Sequence, residues 1–395
     1  MDLSYLLNEY GEARSDYFNA VSPPIIQTSN FKFSKVDALR DAFENEMGSY
    51  LYSRGVNPTV DILRKKLAAL DGAEDCLVFN NGAAAIFAGV LANVKAGDHI
   101  VSVAQPYTWV QRLFDVILPR FGITTTYVAG KNPQDYFDAT TQHTTFYYLE
   151  SPNSWNFALQ DIPVIASFAK QKGIVTLIDN SYCTPLYQQP IAMGIDLAMQ
   201  TATKYIGGHS DTLGGVLCGS KAMMKKIFDS EYLTVGSGIQ PFNAWLLIRG
   251  LRTLPVRLER INQTTQQVVA FVKQHPAVSG IIYPFDESFD QHALAQQQMG
   301  AAPGLFSFFL KAGSRQQIVT FCEALQHIMM AVSWGGYESL LLPKCASMQD
   351  DAFDANNPEH GMVRMYVGLE DAAYLIADLE QAFKKAFPAA DKTAH

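Results

Sequence analysis

The sequence has no excess of positive charge and no closely spaced cysteines. Lys and Arg number 30 against 38 Asp and Glu, for a formal net charge of -8, so nothing favours binding to nucleic acid or to an anionic membrane surface. The five cysteines are odd in number and form no C-x-x-C pair. This excludes a disulfide framework or a zinc cluster and is typical of reduced thiols in a cytoplasmic protein.

Long hydrophobic runs are also lacking. The longest apolar stretch lies between Ala83 and Ala92, which is shorter than the roughly 18 to 20 apolar residues needed to span a bilayer. Met1 to Ser4 have neither the basic start nor the apolar core of a signal peptide. We therefore expect a soluble, cytoplasmic protein with no membrane partner.

Apolar residues are nonetheless plentiful, at 48% of 395 residues, which is enough for a large core and about two domains. Residues 1–60 have weak periodicity and many polar and aromatic positions, which predicts an arm that is ordered by a partner surface. We expect an α/β domain over residues 61–255. A smaller α+β domain is expected over residues 256–395.

Short apolar runs alternate with helical patterns in the predicted α/β domain. Seven strands are predicted: Cys76–Phe79, His99–Val103, Thr124–Val128, Thr145–Leu149, Val175–Ile178, Leu197–Gln200 and Val216–Cys218. Helices are predicted at Ala83–Val94, Val110–Phe121, Ile162–Gln171, Pro241–Gln274 and Ala372–Phe387. This alternation predicts βαβ units and a mostly parallel sheet with helices on both faces. Ligands bind beyond the carboxyl ends of such strands, so polar residues at strand ends are the candidate site.

Lys204 follows one predicted strand and two hydroxyl side chains, Thr201 and Thr203. A lysine at a buried strand end is unusual, because desolvation disfavours its charged form. It becomes reasonable where the amine serves as a nucleophile or a Schiff-base partner, with the hydroxyls bonded to a phosphate beside it. The alternative interpretation is a lysine that snorkels out of a loop.

Two further strand ends carry candidate ligands. Asp179 follows the apolar pair Leu177-Ile178, and a buried carboxylate needs a positive partner such as a protonated ring nitrogen. Gly82 and Ala83 open a helix, where backbone N–H groups form an anion site. The simpler interpretations are a turn or N-cap aspartate and ordinary strand–helix packing.

Four other side chains suit an aromatic cofactor with anionic groups. The ring of Tyr107 either stacks on a planar cofactor or fills the core. Tyr52 and Arg54 supply a donor and a cation for a phosphate, although a solvated surface pair is the default interpretation. Arg364, in an apolar strand, suits a substrate carboxylate or an internal salt bridge.

Together these residues match the needs of one cofactor, pyridoxal 5'-phosphate, and no metal site is expected. From the residues alone two other classes stay open. One is a pyridoxal-phosphate protein without catalysis, which the retained Lys204 and Arg364 argue against. The other is a carbohydrate or nucleotide binder on a similar sheet.

The ordered set of motifs resembles the cysteine/methionine-metabolism family of pyridoxal-phosphate enzymes over nearly the whole chain. The motifs are Tyr52-Ser53-Arg54, Asn81-Gly82-Ala83, Glu150-Ser151-Pro152, Asp179-Asn180-Ser181, Thr201-Ala202-Thr203-Lys204-Tyr205, Gly208-His209-Ser210-Asp211, Arg249-Gly250-Leu251-Arg252 and Gly368-Leu369-Glu370. The resemblance implies the aspartate-aminotransferase-like fold (fold type I). This fold has a mostly parallel seven-stranded sheet and a smaller C-terminal α+β domain.

The resemblance also implies roles for the site residues. On the cofactor it places Lys204 as the Schiff-base lysine, Asp179 at the ring nitrogen, Tyr107 stacked on the ring, Gly82, Ala83, Thr201 and Thr203 at the phosphate, and Tyr52 and Arg54 reaching the phosphate from a neighbouring subunit. On the substrate it places Arg364 at the carboxylate, with Ser333, Trp334, Tyr52 and Tyr107 beside it. Lys204, helped by Tyr107, would carry the catalysis. A homodimer would be the catalytic unit, and pairing of dimers into a tetramer is expected.

Within the family the chain resembles the bacterial cystathionine β-lyase subgroup, through Ser333-Trp334-Gly335-Gly336-Tyr337 and the run Ala83-Ala84-Ala85. This implies β-elimination of cystathionine to homocysteine, pyruvate and ammonia, in methionine biosynthesis and transsulfuration. Cystathionine γ-lyase, methionine γ-lyase, γ-synthase and cysteine-S-conjugate β-lyase activities stay open. They use largely the same residues.

The chain departs from the family pattern near the expected pocket. Ser154 stands where many relatives have asparagine, and the bulky Trp109 follows Tyr107 where small residues are common. We expect Trp109, Trp155 and Cys183 to line the pocket, so the substrate could differ from cystathionine.

Overall fold

Seven strands form the larger of two sheets, in the order β1-β7-β6-β5-β4-β2-β3. The strands are β1 (Asp75–Phe79), β2 (His99–Val103), β3 (Thr124–Val128), β4 (Thr144–Glu150), β5 (Val175–Asp179), β6 (Leu197–Gln200) and β7 (Gly215–Gly219). Strand β7 runs antiparallel to both of its neighbours, and all other pairs are parallel. The predicted mostly parallel seven-stranded sheet is therefore confirmed.

Helices cover both faces of this sheet, as consecutive residues of β4 show. Phe146 and Tyr148 pack into one apolar cluster, which contains the helix residue Ile86. Tyr147 and Leu149 pack into a second cluster, which contains Ile165 from another helix. Side chains alternate between the faces of a strand, so two covered faces explain why these strands are continuously apolar in sequence.

The computed structural model describes residues 1–388, and its chain divides into two compact units. The first unit comprises Met1–Ser154, Ala158–Gly207 and Asp211–Leu254, and the second comprises Trp155–Phe157, Gly208–Ser210 and the chain from Pro255 onward. The last seven residues of the predicted C-terminal domain, 389–395, lie outside the described residues. The described chain contains no helix with the length and apolar character that a membrane span requires.

The helices of the first unit include one that replaces a longer predicted helix. They are α1 (Leu3–Asn8), α2 (Val36–Glu44), α3 (Pro58–Leu70), α4 (Gly82–Leu91), α5 (Thr108–Arg112), α6 (Pro133–Asp138), α7 (Ile162–Lys172), α8 (Thr184–Tyr187), α9 (Lys221–Ile227), α10 (Leu233–Val235) and α11 (Pro241–Arg252). The helix predicted over Val110–Phe121 is helical throughout, but only its start, in α5, is α-helical. The remainder is a π turn at Leu113–Ile117 and a 3-10 turn at Leu118–Phe121, where Pro119 has no N–H to continue the α pattern.

The long helical region predicted over Pro241–Gln274 is confirmed and consists of two helices. Helix α11 ends at Arg252, and α12 (Leu254–Gln274) begins after Thr253. Pro255 explains the break, since its ring would clash with the carbonyl four residues earlier in a continuous helix. At the start of a helix the same proline is well tolerated.

The second unit is built on a mixed five-stranded sheet in the order β10-β11-β12-β9-β8. The strands are β8 (Val278–Ile282), β9 (Leu305–Leu310), β10 (Met329–Met330), β11 (Leu340–Pro343) and β12 (Met362–Tyr366). The helices that follow α12 are α13 (His292–Gln298), α14 (Arg315–Ala324) and α15 (Ala372–Ala386). The two sheets with their helices confirm the predicted fold class.

A buried ionic cluster holds the N-terminal segment onto the first unit. The carboxylate of Glu12 lies 3.1 Å from the ammonium of Lys66 on α3 and 3.0 Å from the guanidinium of Arg252 on α11. Lys66 also donates to the carbonyls of Leu6 and Leu7, each at 3.1 Å. Buried charges are tolerated only when paired in this way, so the cluster fixes the start of the chain.

Asp71 caps the end of α3 and lies fully buried beneath β6. One carboxylate oxygen accepts from the side-chain amide of Gln200 at 2.6 Å, and the thiol of Cys218 lies beside the same carboxyl. Burial raises the pKa of Asp71 to about 7, against 3.8 for an ordinary aspartate. The folded protein therefore favours the protonated acid, and this contribution to stability is lost as the pH rises through 7.

From pH 6 to pH 8 we expect the free energy of unfolding of the wild type to fall by about 1.4 kcal/mol relative to that of Asp71→Asn, because asparagine does not titrate. Urea denaturation at the two pH values measures the difference. The exposed Asp37 on α2 supplies the control. Asp37→Asn should show the same difference in free energy of unfolding between the two pH values as the wild type. Equal pH dependence of the Asp71 variant and the wild type would contradict the assignment.

Candidate active site

The site is built at the carboxyl ends of β4, β5 and β6. In the register of the sheet, Glu150 pairs with Asp179 and Asp179 pairs with Met199, so these parallel strands end at the same edge. Beyond β6 the chain turns tightly, with the amide of Lys204 donating to the carbonyl of Thr201 at 3.1 Å. The predicted lysine, aspartate and threonine thus come from adjacent strand ends.

Asp179 is buried, and the charge of Lys204 acts on its carboxyl. Burial raises the pKa of the Asp179 carboxyl, and hydrogen bonds from Ser181 and the positive charge of Lys204 lower it by less. The amide of Ser181 donates to Asp179 at 2.9 Å, and its hydroxyl accepts from the amide of Thr201 at 2.6 Å. Ser181 therefore joins two of the predicted site residues, a role that the sequence pattern did not reveal.

The N-terminus of α4 lies against Thr201. A Cβ atom on Gly82 would lie only 2.2 Å from the Thr201 hydroxyl oxygen, so this approach requires glycine. The side chain of Asn81 caps the helix by accepting from the amide of Ala84 at 2.8 Å. The backbone amides of Gly82 and Ala83 lie in the first turn of α4, where N–H groups have no acceptor within the helix. They are therefore suitable donors to an anion.

The hydroxyl of Thr203 bonds to a different segment of the chain. It accepts from the amide of Gly214 at 3.1 Å and lies 3.4 Å from the carbonyl of the same residue. The side chain therefore bonds the segment that leads into β7. Its predicted place at a phosphate stays a prediction.

Tyr107 caps the start of α5, and its side chain is 40% exposed. Its backbone amide donates to the Glu150 carboxylate at 2.7 Å. Burial raises the pKa of the Tyr107 hydroxyl, and the negative charges of Asp179 and Glu150 raise it further. The ring thus belongs to the same strand-end group as Asp179.

Glu150 is the residue that holds two loops of the site together. Its second oxygen accepts from the amide of Ser154 at 2.8 Å and from the Ser154 hydroxyl. Burial raises the pKa of Glu150 to about 7, and the nearby Asp179 adds to the effect. The sequence carried a signal for this residue, a carboxylate at the end of a buried strand, but it was interpreted only as part of a motif.

Tyr52 and Arg54 lie elsewhere in the first unit. The guanidinium of Arg54 lies 5.5 Å from the centre of the Tyr52 ring. Both residues line a cavity of about 400 Å³ with the segment 237–241, and among the described residues its lining includes neither Lys204 nor Asp179. Their service to a neighbouring subunit's site stays a prediction.

Three of the predicted substrate residues, Arg364, Ser333 and Trp334, belong to the second unit. Arg364 lies on β12 between Ser307 of β9 and Leu342 of β11, and its guanidinium carbon lies 4.5 Å from the centre of the Trp155 ring. Ser333 has a positive φ of 84°, which side-chain-bearing residues rarely adopt. The roles of Arg364, Ser333 and Trp334 in substrate binding stay predictions.

Pyridoxal 5'-phosphate suits the residues at the strand ends. Asp179 is a buried carboxylate whose pKa burial raises, and a protonated ring nitrogen would supply the positive partner that it needs. The close approach of Gly82 to Thr201 leaves a glycine-lined helix start beside hydroxyl groups, which suits a phosphate. No group of three or more metal-ligating side chains occurs within the described part of the chain.

We expect Glu150→Gln to loosen the two loops that Glu150 holds. At pH 8, above the Glu150 pKa of about 7, glutamine replaces a charged carboxylate and has one acceptor oxygen in place of two, and hydrogen bonds to charged groups contribute about 1.5–3 kcal/mol. Amide hydrogen exchange at Tyr107 and Ser154 should accelerate about tenfold or more. Glu74 accepts the amide of Lys221 at 2.9 Å, so Glu74→Gln is the matched control and should leave these two amides unchanged. Unaltered exchange in the Glu150 variant would show that the carboxylate does not fix the loops.

Comparisons with known proteins identify the family of the chain. The family model "Cys/Met metabolism PLP-dependent enzyme" matches residues 6–384. L-methionine gamma-lyase of Treponema denticola is 34% identical over 376 residues, 93% of each chain. Cystathionine beta-lyase of Lactococcus lactis is 34% identical over 373 residues, 93% of this chain and 94% of that one.

A solved structure, metB from Corynebacterium glutamicum, superposes with a TM-score of 0.89 at 30% identity and covers 97% of this chain and 98% of that one. These matches extend over both units of the chain. The chain therefore belongs to the Cys/Met metabolism family of enzymes, which depend on pyridoxal phosphate.

Proposed function

We propose that this protein is a carbon–sulfur lyase that cleaves cystathionine by β-elimination to homocysteine, pyruvate and ammonia. The observation that carries the proposal is the grouping of Lys204 with the buried Asp179 at adjacent strand ends. The β-lyase form is supported by the Ser333-Trp334 sequence, which resembles the β-lyase subgroup. The similarity to cystathionine beta-lyase of Lactococcus lactis adds to this support.

Lys204 would hold the cofactor covalently, and its amine would also be the base that removes the proton from Cα of the substrate. When bound, pyridoxal phosphate supplies an electron sink for the charge left on that carbon. The lysine amine must be neutral at that moment, although an ordinary lysine has a pKa of about 10.4. A pocket that already carries positive charge, from the Arg54 and Arg364 side chains, would favour the neutral amine.

The remaining residues would bind and orient. Asp179 would keep the ring nitrogen protonated, and Tyr107 would lie against the ring and assist the proton transfer. Gly82, Ala83, Thr201 and Thr203 would hold the phosphate, joined by Tyr52 and Arg54 of a neighbouring subunit. Arg364 would hold the substrate carboxylate beside Ser333 and Trp334, and a homodimer, paired into a cytoplasmic homotetramer, would be the working assembly.

γ-Elimination is the second candidate, since a methionine gamma-lyase and the cystathionine gamma-lyase of Bacillus subtilis are 34% and 33% identical to this chain. The γ reaction needs a second proton removal, from Cβ, for which the same lysine would serve as the base. The two reactions leave different products, which makes them separable by assay.

We expect the purified holoenzyme to convert cystathionine to pyruvate and homocysteine, because the proposed base acts at Cα and the thiolate leaves from Cβ. Mass spectrometry of the keto acid and thiol products decides between the reactions. Formation of 2-oxobutyrate and cysteine would replace the proposal with a γ-lyase. If cystathionine is not cleaved, release of methanethiol from methionine would assign the methionine γ-lyase activity.

We expect Lys204→Ala to lower kcat for cystathionine by at least about 10³-fold, because general-base catalysis alone contributes about 10²–10⁴-fold. The exposed Lys170 on α7 provides the control, and Lys170→Ala should keep wild-type turnover. Full turnover by the Lys204 variant would make the proposed mechanism wrong.

A further inference from the structure

The indole of Trp155 covers the guanidinium of Arg364. The guanidinium carbon lies 4.5 Å from the ring centre, within the distance of about 6 Å at which a cation is attracted to an aromatic face. Both residues belong to the second unit. Trp155 and Arg364 lie more than 200 positions apart in sequence, so the fold brings them into contact.

The backbone of Trp155 is held by the strand next to Arg364. Ser307 on β9 is fully buried and donates its hydroxyl to the carbonyl of Trp155 at 3.3 Å. In the sheet register Ser307 lies directly opposite Arg364. Two cross-strand neighbours therefore fix the same residue, one through its carbonyl and the other through its ring.

The preceding residue is fixed as well. Ser154 donates its amide to Glu150 at 2.8 Å, and the loop closes where the amide of Asn153 donates to the carbonyl of Ala158 at 3.0 Å. A large aromatic side chain is thus held on a short closed loop. An indole constrained in this way loses little further conformational freedom when it covers a charged partner.

A guanidinium offers two flat faces and an edge of N–H donors, and carboxylates bind in the plane, at the edge. An indole on one face does not occupy the edge, and it removes water from that face and restrains rotation of the plane. Lower local polarity also strengthens the attraction between the guanidinium and a carboxylate. Ring contact and carboxylate binding are therefore compatible on one arginine.

We propose that Trp155 is a positioning residue for the α-carboxylate of the substrate, which it orients through the Arg364 guanidinium. The inference rests on the proposed function, in which Arg364 binds that carboxylate. It adds a residue of this chain that determines how strongly amino-acid substrates bind compared with simple amines.

The test measures binding rather than turnover. Dissociation constants of the holoenzyme are determined calorimetrically for glycine, which has the carboxylate but no leaving group, and for methylamine, which lacks both. Trp155→Leu should weaken glycine binding about 2- to 30-fold, the range expected of a cation–ring contact, and leave methylamine binding unchanged. Trp155→Phe retains a ring and should recover part of the loss.

A double-mutant cycle establishes whether Trp155 acts through Arg364. In the Arg364→Leu background, Trp155→Leu should have no further effect on glycine binding. Phe168 forms a cation–ring contact with Lys172, whose ammonium nitrogen lies 5.6 Å from the ring centre. Phe168→Leu is therefore the matched control and should leave both dissociation constants unchanged.

Three results would overturn the proposal. The first is an equal loss of affinity for glycine and for methylamine in Trp155→Leu. The second is an equal loss of glycine affinity when Trp155→Leu is made in the wild type and in the Arg364→Leu background. The third is an unchanged glycine affinity in Arg364→Leu. Because glycine and methylamine do not undergo elimination, these outcomes are independent of whether cystathionine or methionine is the substrate. A failure of the proposed β-elimination is therefore distinguishable from a failure of this inference.

Discussion

The burial of two carboxylates at the ends of neighbouring strands is the constraint on which the site depends. Glu150 and Asp179 are register partners in β4 and β5, and water is largely excluded from both. Burial and mutual repulsion disfavour the charged forms, so each carboxyl requires compensation. Two backbone amides and a hydroxyl compensate Glu150, whereas Asp179 has the hydrogen bonds of Ser181 and the charge of Lys204.

This difference in compensation separates the two carboxyls by role. The oxygens of Glu150 are committed to the loops that carry Tyr107 and Ser154, which makes Glu150 a structural organiser of the site. The charge of Lys204 acts on Asp179, and a protonated pyridine nitrogen would complete the surroundings of this carboxyl. One strand end thus positions loops, and the adjacent strand end suits the cofactor that the family requires.

The sequence predicted the larger sheet well because its strands are buried on both faces and therefore read as continuous apolar runs. It also located Lys204, Asp179 and Gly82, because each stands at a strand or helix end where the local pattern changes. Both helical segments were predicted, but the change of helix type near Pro119 and the boundary before Pro255 were not, although both prolines were visible. Apolar periodicity was followed there in preference to the backbone chemistry of proline.

Features that depend on long-range contacts could not be predicted from local pattern. The hydrogen bond from the Tyr107 amide to Glu150 joins a strand end to a loop 43 residues away. The stacking of Trp155 on Arg364 joins a loop to a strand of the second sheet. Such pairs are set by topology and register, and a single sequence shows neither.

The central claim is that Lys204 carries the cofactor. Borohydride reduction of the holoenzyme, followed by peptide mass spectrometry, tests it most directly, since reduction fixes the cofactor to the amine that holds it. The account predicts that the visible absorbance is lost and that the pyridoxyl group is found on the peptide that contains Lys204. A pyridoxyl group on a different lysine, or no labelled peptide at all, would contradict it.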